Sequence, residues 1–360
     1  MRAGCPIAAC LLSVAGFGVA EAAAVAVGQA TAVQAIAGQA APGQVALKQS
    51  AAVQALSAYR PQTAARGTFK IWGSPTDRAL IDDLARGFGK FHPALRISAT
   101  LYGPESTMAG LYNGVADLAF MAREMRLPVE SMAFEWVYRY KPFEVEIANA
   151  GLGPQRPAAN LAFFVHKNNP LSQVSLTQLE AILGTEHLRS SMNVRTWNEL
   201  GLGPQWKDKS IHVYGPPLDS ADALFVRRAV LADSHKWNPD YHELSGREAT
   251  LAALARDPLG IAYAPLDDQG YADVKALALS ERDSGPFHAL TAQTIAARTY
   301  PLTRVVKVVI NRNPDKPIDA NAKEFMRYIL SRDGQGAIVR DGAYIALSAD
   351  DAQRQLHRLD

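Results

Sequence analysis

The feature that most constrains the fold is a β-branched segment near the C-terminus that is followed by an amphipathic stretch. Residues 305–310 read Val-Val-Lys-Val-Val-Ile. A run this short and apolar is typical of a strand buried on both faces of a parallel sheet. After a proline-containing loop, an apolar stripe at helical spacing predicts a helix that Gly334 ends. The stripe consists of Ala322, Phe325, Met326, Ile329 and Leu330.

Upstream of this segment the chain alternates predicted strands and helices, which is typical of an α/β fold. The folded part is expected to begin near Gly67, with Thr68–Trp72 as the first credible strand, and a Gly/Pro cluster after Ala150 is interpreted as a crossing into a second α/β unit. Because the C-terminal strand is expected to return to the first unit, two crossings are predicted, near residues 151–158 and 285–300. An aromatic stretch containing Phe134, Trp136 and Tyr138 is interpreted as core or cleft wall.

The N-terminus has the pattern of an export signal. Arg2 precedes a small and apolar run, and residues 19–24 offer small-residue cleavage sites. Cleavage would remove Cys5 and Cys10, the only two cysteines, and place the mature protein in the periplasm. The alternative is a lipoprotein anchored at Cys10. Residues 24–66 are rich in Ala and Gln, with almost no large side chains, which predicts a disordered tether.

These patterns together predict a division of the chain. The expected parts are a signal peptide (1–23), the tether (24–66), lobe 1 (67–153 with 295–348), lobe 2 (157–290) and a C-terminal tail (349–360).

Charge and motif content exclude several classes of function. The chain carries 37 Lys and Arg against 35 Asp and Glu, so no basic surface for nucleic acid is expected. It contains no HExxH, GxSxG or P-loop motif. We therefore predict no enzyme, no cofactor and no metal site, and we expect any ligand to lie in a pocket.

Several ordered motifs resemble the phosphate-type periplasmic binding proteins, which are the solute receptors of ABC importers. The resemblance implies a type II two-lobe fold, in which each lobe is a mostly parallel sheet flanked by helices. It also implies a monomer that captures a small anion, phosphate first, and passes it to an ABC permease or a membrane sensor. The motifs are Asn113–Ala119, Val165–Ser172, Leu176–Ile182, Arg195–Leu200, Leu259–Tyr263, Thr299–Arg304 and Asp341–Leu347.

In such receptors the ligand lies where strand-to-helix turns face the interlobe cleft, and helix N-termini and hydroxyls bind the oxyanion. Three turns match this placement, at residues 73–77, 103–107 and 215–222. Arg123, at the end of a predicted strand, is the cation nearest to them. The candidate ligand-binding residues are Ser74, Thr76, Ser106, Thr107, Arg123 and Ser220.

The same turns depart from the family pattern and permit another interpretation. Pro216 stands where the family has an arginine, and Asp222 stands where it has a threonine. The hydroxyls are also suitable as helix caps. Arg123 is suitable for an ion pair with Glu124, and Arg304 for a structural ion pair. The alternative function is therefore a divergent receptor that has lost phosphate binding and acts as a sensor or an interaction protein.

Overall fold

The computed structural model describes residues 52–153, 159–266 and 271–360. A six-stranded sheet has the order β13-β4-β12-β3-β1-β2, and a five-stranded sheet has the order β10-β5-β9-β7-β8. The first sheet contains β1 (Gly67–Trp72), β2 (Leu95–Thr100), β3 (Leu118–Met121), β4 (Phe143–Ala150), β12 (Val305–Ile310) and β13 (Tyr344–Ile345). The second contains β5 (Leu161–His166), β7 (His212–Gly215), β8 (Tyr241–Glu243), β9 (Gly260–Pro265) and β10 (Val274–Ala276). A separate pair joins β6 (Gln173–Ser175) and β11 (Ala278–Ser280).

The helices begin where the sequence supplies caps. Ser175 and Gln178 form a capping box at α4, and Ser220 caps α5. The helices are α1 (Arg78–Gly89), α2 (Thr107–Tyr112), α3 (Val129–Tyr138), α4 (Leu176–Leu183), α5 (Ala221–Ala229), α6 (Gly246–Leu254), α7 (Ala292–Ala296), α8 (Ala320–Ile329), α9 (Arg332–Asp341) and α10 (Ala349–His357). None of the helices in the described part of the chain is long and apolar enough to span a membrane.

Each sheet has its own hydrophobic core, so the predicted two-lobe α/β fold is confirmed. Phe69, Leu84 and Phe325 lie in the core of the six-stranded sheet, which we call lobe 1. Phe163 and Trp197 lie in the core of the five-stranded sheet, which we call lobe 2. A smaller apolar cluster around Met108 and Phe134 packs α2 and α3 onto the other face of the first sheet.

The strand directions correct one part of the prediction, because the sheets are mixed rather than mostly parallel. Strand β12 is antiparallel to both of its neighbours, β3 and β4. The reason is the double crossing: β4 runs out of lobe 1 toward lobe 2, whereas β12 enters lobe 1 from lobe 2. The β-branched run predicts a buried strand correctly but contains no information on its direction.

Gly334 does not end the C-terminal helix as predicted. Helix α8 ends at Ile329, Ser331 caps the next helix, and Gly334 lies inside that helix, α9. A Cβ at Gly334 would lie 2.3 Å from the Tyr328 carbonyl oxygen. The glycine is therefore required by the close approach of two helices rather than by a helix terminus.

The described end of the predicted tether packs on lobe 1, which corrects the disorder predicted for residues 52–66. Tyr59 is buried, and its hydroxyl donates to Glu324 at 2.5 Å and lies 2.7 Å from His92 Nε2. The Ala65 amide donates to His92 Nδ1 at 3.1 Å. A few anchoring side chains thus offset the entropy of an otherwise small-residue segment. The signal peptide and residues 24–51 lie outside the described residues.

Three further expectations on chain organisation are corrected by the packing. The C-terminal residues are not a tail, because α10 places Ala352 and Leu359 in the lobe 1 core. The return to lobe 1 occurs later than residue 295, because Tyr300 and Leu302 still pack in the lobe 2 core. Trp136 is not core, since 74% of it is exposed. At the first crossing, residues 154–158 lie outside the described residues.

Candidate functional site

The first two predicted turns meet at the carboxyl ends of the lobe 1 strands. Ser74, from the turn after β1, and Thr107, from the turn after β2, line one small pocket with Arg123, which follows β3. Because β1, β2 and β3 run parallel, their carboxyl ends lie at one edge of the sheet. The described residues thus place three of the six predicted ligand-binding residues around one pocket, which encloses almost no free space.

The third turn reaches the same region from lobe 2. The Arg126 guanidinium, which follows β3, donates to the Asp219 carbonyl at 3.2 Å. Asp222, in the first turn of α5, accepts from Arg304 at 2.7 Å. The three turns therefore border a single interlobe region, which we call the cleft site.

The hydroxyls of the first turn act as local caps. Ser74 is the N-cap of a 3-10 helix at Pro75–Asp77, and its Oγ accepts from the Thr76 amide at 3.4 Å. The Oγ atoms of Ser74 and Thr76 are 2.8 Å apart. This turn therefore follows the capping interpretation.

The other predicted hydroxyls are also engaged with the backbone. Ser106 and Thr107 both donate to the Gly103 carbonyl, at 2.8 and 3.3 Å. Ser220 Oγ accepts from the Ala223 amide at 3.1 Å. An incoming oxyanion would have to compete with the Gly103 carbonyl for the hydroxyl protons of Ser106 and Thr107, although Thr107 already lines the pocket. Ser220 uses its oxygen in its backbone contact, and its proton is not used there.

Arg123 is the cation of the pocket, and only 4% of it is exposed. Its two terminal nitrogens donate to the Glu130 carboxylate at 2.9 and 2.6 Å, and one also donates to the Pro104 carbonyl at 2.8 Å. Burial opposes the charged form, but the hydrogen bonds and charge of Glu130 outweigh it and raise the pKa of Arg123. The side chain is therefore a cation that is paired with Glu130 in this structure.

Glu130 is the functional residue that sequence reasoning missed. It is a buried carboxylate on α3, a helix whose other buried residue is Phe134. The sequence signal is weak: Glu130 is one of two acidic residues in a mainly apolar, aromatic stretch and lies seven positions after Arg123. The expected partner Glu124 does bond to Arg123, but only through its backbone carbonyl, at 2.8 Å.

Arg304 forms the structural ion pair that the sequence predicts, with a larger set of partners. It is fully buried, and it donates to the Glu124 carboxylate at 3.0 and 2.6 Å. It also donates to Asp222 at 2.7 Å and lies 4.7 Å above the Phe225 ring. Burial lowers the pKa of Arg304, but Glu124 and Asp222 more than compensate and raise it. Because Glu124 follows β3 and Asp222 lies in α5, this arginine links the two lobes.

The arginines of the cleft site are therefore already paired with carboxylates of the protein. Arg123, Arg126 and Arg304 each bind a carboxylate of the chain, since Arg126 pairs with Glu105 at 2.9 Å. In a region of low dielectric, a fixed carboxylate beside a dianion is strongly unfavourable unless one of the two holds a proton. An oxyanion that binds here would lie beside Glu130 at Arg123 or beside Asp222 at Arg304. The buried Nε of Arg123 has no hydrogen-bond partner among the described residues. Within the described residues, no group of three or more His, Cys, Asp or Glu side chains is arranged to hold a metal.

Comparison with known sequences shows the family to which this chain belongs. A PBP superfamily domain matches residues 158–333. The phosphate-binding protein PstS of Pseudomonas aeruginosa is 31% identical over 308 residues, which cover 85% of this chain and 91% of the relative. Protein SphX of Synechococcus elongatus is 21% identical over 303 residues, with 83% of each chain covered. The chain belongs to the PstS family of substrate-binding proteins.

Comparison with solved structures supports the same fold. PstS from Borrelia burgdorferi superposes with a TM-score of 0.53 at 18% identity, covering 79% of this chain and all of that one. An ABC-type phosphate transport receptor from Vibrio cholerae gives a TM-score of 0.50 at 19% identity, covering 77% and 99%. At these identities the likeness shows the two-lobe fold, and the ligand must be argued from the cleft site.

Proposed function

We propose that this protein is a periplasmic solute-binding protein that captures a small oxyanion in the cleft site for an ABC permease, with phosphate as the first ligand to test. It acts as a monomeric binding protein and catalyses no reaction. The observation that carries the proposal is the pocket of lobe 1, where the buried guanidinium of Arg123 lies beside Ser74 and Thr107. A buried arginine with neighbouring hydroxyls is a suitable donor set for an oxyanion.

Binding would proceed by exchange of carboxylates for ligand oxygens. The guanidinium of Arg123 already binds two oxygens of Glu130 with short, charge-assisted bonds. A tetrahedral oxyanion offers the same pair of oxygens, so it can take the place of Glu130 if α3 moves. The closing of the two lobes on the ligand would then follow the hinge mechanism of two-domain receptors.

Thermal unfolding with and without phosphate, sulfate and other oxyanions tests this proposal. A ligand that binds only the native state stabilises it by about 2.7 kcal/mol at 100 times its dissociation constant. We expect a rise in the midpoint with phosphate, followed by calorimetric heat at neutral pH. The absence of both signals for the wild type would contradict phosphate binding.

The pairing of the cleft arginines with carboxylates of the protein favours a second candidate function. Asp222, at the position of the family's threonine, binds Arg304 from the other lobe, and Glu130 neutralises Arg123. If these carboxylates stand permanently in place of the ligand, the protein is a divergent receptor that serves as a sensor or an interaction partner. Under this alternative no oxyanion raises the unfolding midpoint, and Asp222→Thr does not restore binding.

A further inference from the structure

Helix α3 and the turn before it expose several large apolar side chains on the surface of lobe 1. Among the described residues, nine large hydrophobic side chains are exposed, and five of them lie between residues 127 and 137. We call these five the α3 ridge: Leu127, Val129, Met132, Trp136 and Val137. Clustering of this kind on a soluble domain indicates a contact surface, since scattered apolar residues are normal but contiguous ones are not.

The ridge is the exposed face of a helix whose opposite face is packed against lobe 1. Phe134 is buried and packs in the apolar cluster that holds α3 against α2. Val129, Met132 and Trp136 lie at i, i+3 and i+7, so they form one stripe on the opposite side, with exposed fractions of 69%, 59% and 74%. A helix that is apolar on both faces is typical of a buried element, so the outer stripe lacks a cover within the described part of the chain.

Within the described ranges, unpaired positive charge accompanies the ridge at its C-terminal end. The Arg139 guanidinium lies 5.1 Å from the Trp136 ring centroid, and Lys141 follows it. Neither cation pairs with a carboxylate among the described residues, and both are exposed. Arg126 lies at the other end, where it pairs with Glu105. The partly exposed Glu135 is the acidic residue within α3 that borders the stripe.

This distribution of charge argues against a second copy as the partner. A two-fold axis through the centre of the ridge would pair the helices antiparallel and place Arg139 of one copy near the Arg126–Glu105 ion pair of the other. A neutral ion pair offers no net negative charge to the unpaired Arg139 and Lys141, so a second copy is not electrostatically complementary to the ridge. The complementary surface is therefore apolar at its centre and anionic around it.

We propose that the α3 ridge is a membrane-contact site that inserts its apolar side chains into the interface of a bilayer containing anionic phospholipid. Tryptophan is favoured at the boundary between headgroups and acyl chains, and arginine and lysine beside it bind anionic headgroups. A helix that lies in the interface requires an apolar face with a cationic border, and α3 supplies both on a rigid lobe. This inference does not depend on what the cleft site binds.

Sedimentation of the full chain with lipid vesicles tests the proposal. We expect wild-type protein to bind phosphatidylcholine vesicles that contain about one quarter phosphatidylglycerol, to bind pure phosphatidylcholine less, and to be released by salt. The double change Met132→Ser with Trp136→Ser should weaken binding by at least about tenfold. Leu188→Ser is the matched control, because Leu188 is also exposed (58%) but lies in lobe 2; its binding should equal the wild type.

Two double variants, each of which removes two cations, measure the electrostatic contribution to vesicle binding. Arg139→Gln with Lys141→Gln should weaken binding to the anionic vesicles by about tenfold at low salt. Lys207→Gln with Lys209→Gln changes two exposed cations of lobe 2 and should have no effect. Circular dichroism confirms folding of every variant, and any binding by residues outside the described ranges is common to all of them.

Three results would overturn the proposal. One is a wild type that does not sediment with anionic vesicles at low salt, and another is a ridge variant that sediments as well as the wild type. The third is a concentration-dependent dimer, measured by light scattering, that Trp136→Ser dissociates, because the ridge would then be an interface between copies of this chain.

Discussion

The two buried arginines of the cleft site are chemically alike but differ in what they connect. Arg123 and Arg304 each bind one carboxylate through two short hydrogen bonds. The side-chain partners of Arg123, Glu130 at 2.6 Å and Glu105 at 3.5 Å, are both in lobe 1. The partners of Arg304 include Glu124 of lobe 1 and Asp222 of lobe 2. The first is an ion pair within one lobe, and the second is a link between two.

The difference indicates which arginine is able to change partners. Exchange of Glu130 for a ligand at Arg123 alters one lobe only and leaves the interlobe link in place. Loss of Arg304 would leave Glu124 and Asp222 facing each other without a cation. We therefore expect Arg123 to control ligand affinity and Arg304 to control the stability of the assembled lobes.

The largest effect is expected for Arg304→Met. Removing one partner of a buried ion pair leaves the other charges buried without compensation, which lowers the free energy of unfolding by about 3–5 kcal/mol. Urea denaturation measures it. The matched control is Lys307→Met, because Lys307 pairs with Glu144 in a partly exposed position and should cost about 1 kcal/mol or less. Equal costs for the two variants would show that the interlobe link contributes no more than a surface pair.

Arg123→Ala is expected to act on binding. If phosphate binds at the pocket, loss of the charge-assisted hydrogen bonds costs about 1.5–3 kcal/mol of affinity, which is at least tenfold. Calorimetric titration of both proteins at neutral pH measures it. Phosphate binding that survives this change intact would place the ligand away from Arg123.

Asp222→Thr should have a smaller effect on binding, and in the opposite direction. It removes a negative charge from the cleft and supplies a hydroxyl, so phosphate affinity should stay equal or increase. Arg304 keeps Glu124 and the Ala159 carbonyl, at 3.0 Å, as partners. In the same titration, tenfold weaker binding than the wild type would mean that the Asp222 carboxylate assists the ligand.

The smallest effect is expected for Arg126→Ala. Its guanidinium is about one third exposed, and its ion pair with Glu105 is at the surface, so its loss should change the unfolding free energy by less than about 1 kcal/mol. Its bond to the Asp219 carbonyl also crosses the cleft. A cost approaching that of Arg304→Met in the same urea experiment would show that the lobes are joined at the cleft mouth as well.

Sequence patterns predicted the elements of this fold better than their arrangement. Strands at Gly67–Trp72 and Val305–Ile310 follow from β-branched and aromatic runs, which depend on local residues alone. The antiparallel direction of β12 depends on how the chain crosses between lobes, which no local pattern encodes. Trp136 was misassigned because periodicity identifies an apolar face without showing whether another element covers it.

The sequence predicts those residues of the candidate site that lie directly after strands. Arg123 follows a buried strand, and it lies in the pocket with Ser74 and Thr107 as this position predicts. The roles of Glu130 and Asp222 as partners of the arginines depend on side chains that meet across helices and lobes. Such long-range pairings are set by tertiary packing, so one sequence does not reveal them.

The docking of residues 52–66 also decides where an external force would act on the molecule. Tyr59 and Thr63 bind Glu324 of α8, and the Arg332 amide binds the Ser57 carbonyl at 2.9 Å. The chain that precedes residue 52 therefore departs from lobe 1. A pull applied there would act first on lobe 1. An N-terminal attachment would therefore restrain the lobe that carries the α3 ridge, and force would reach lobe 2 only through the interlobe contacts.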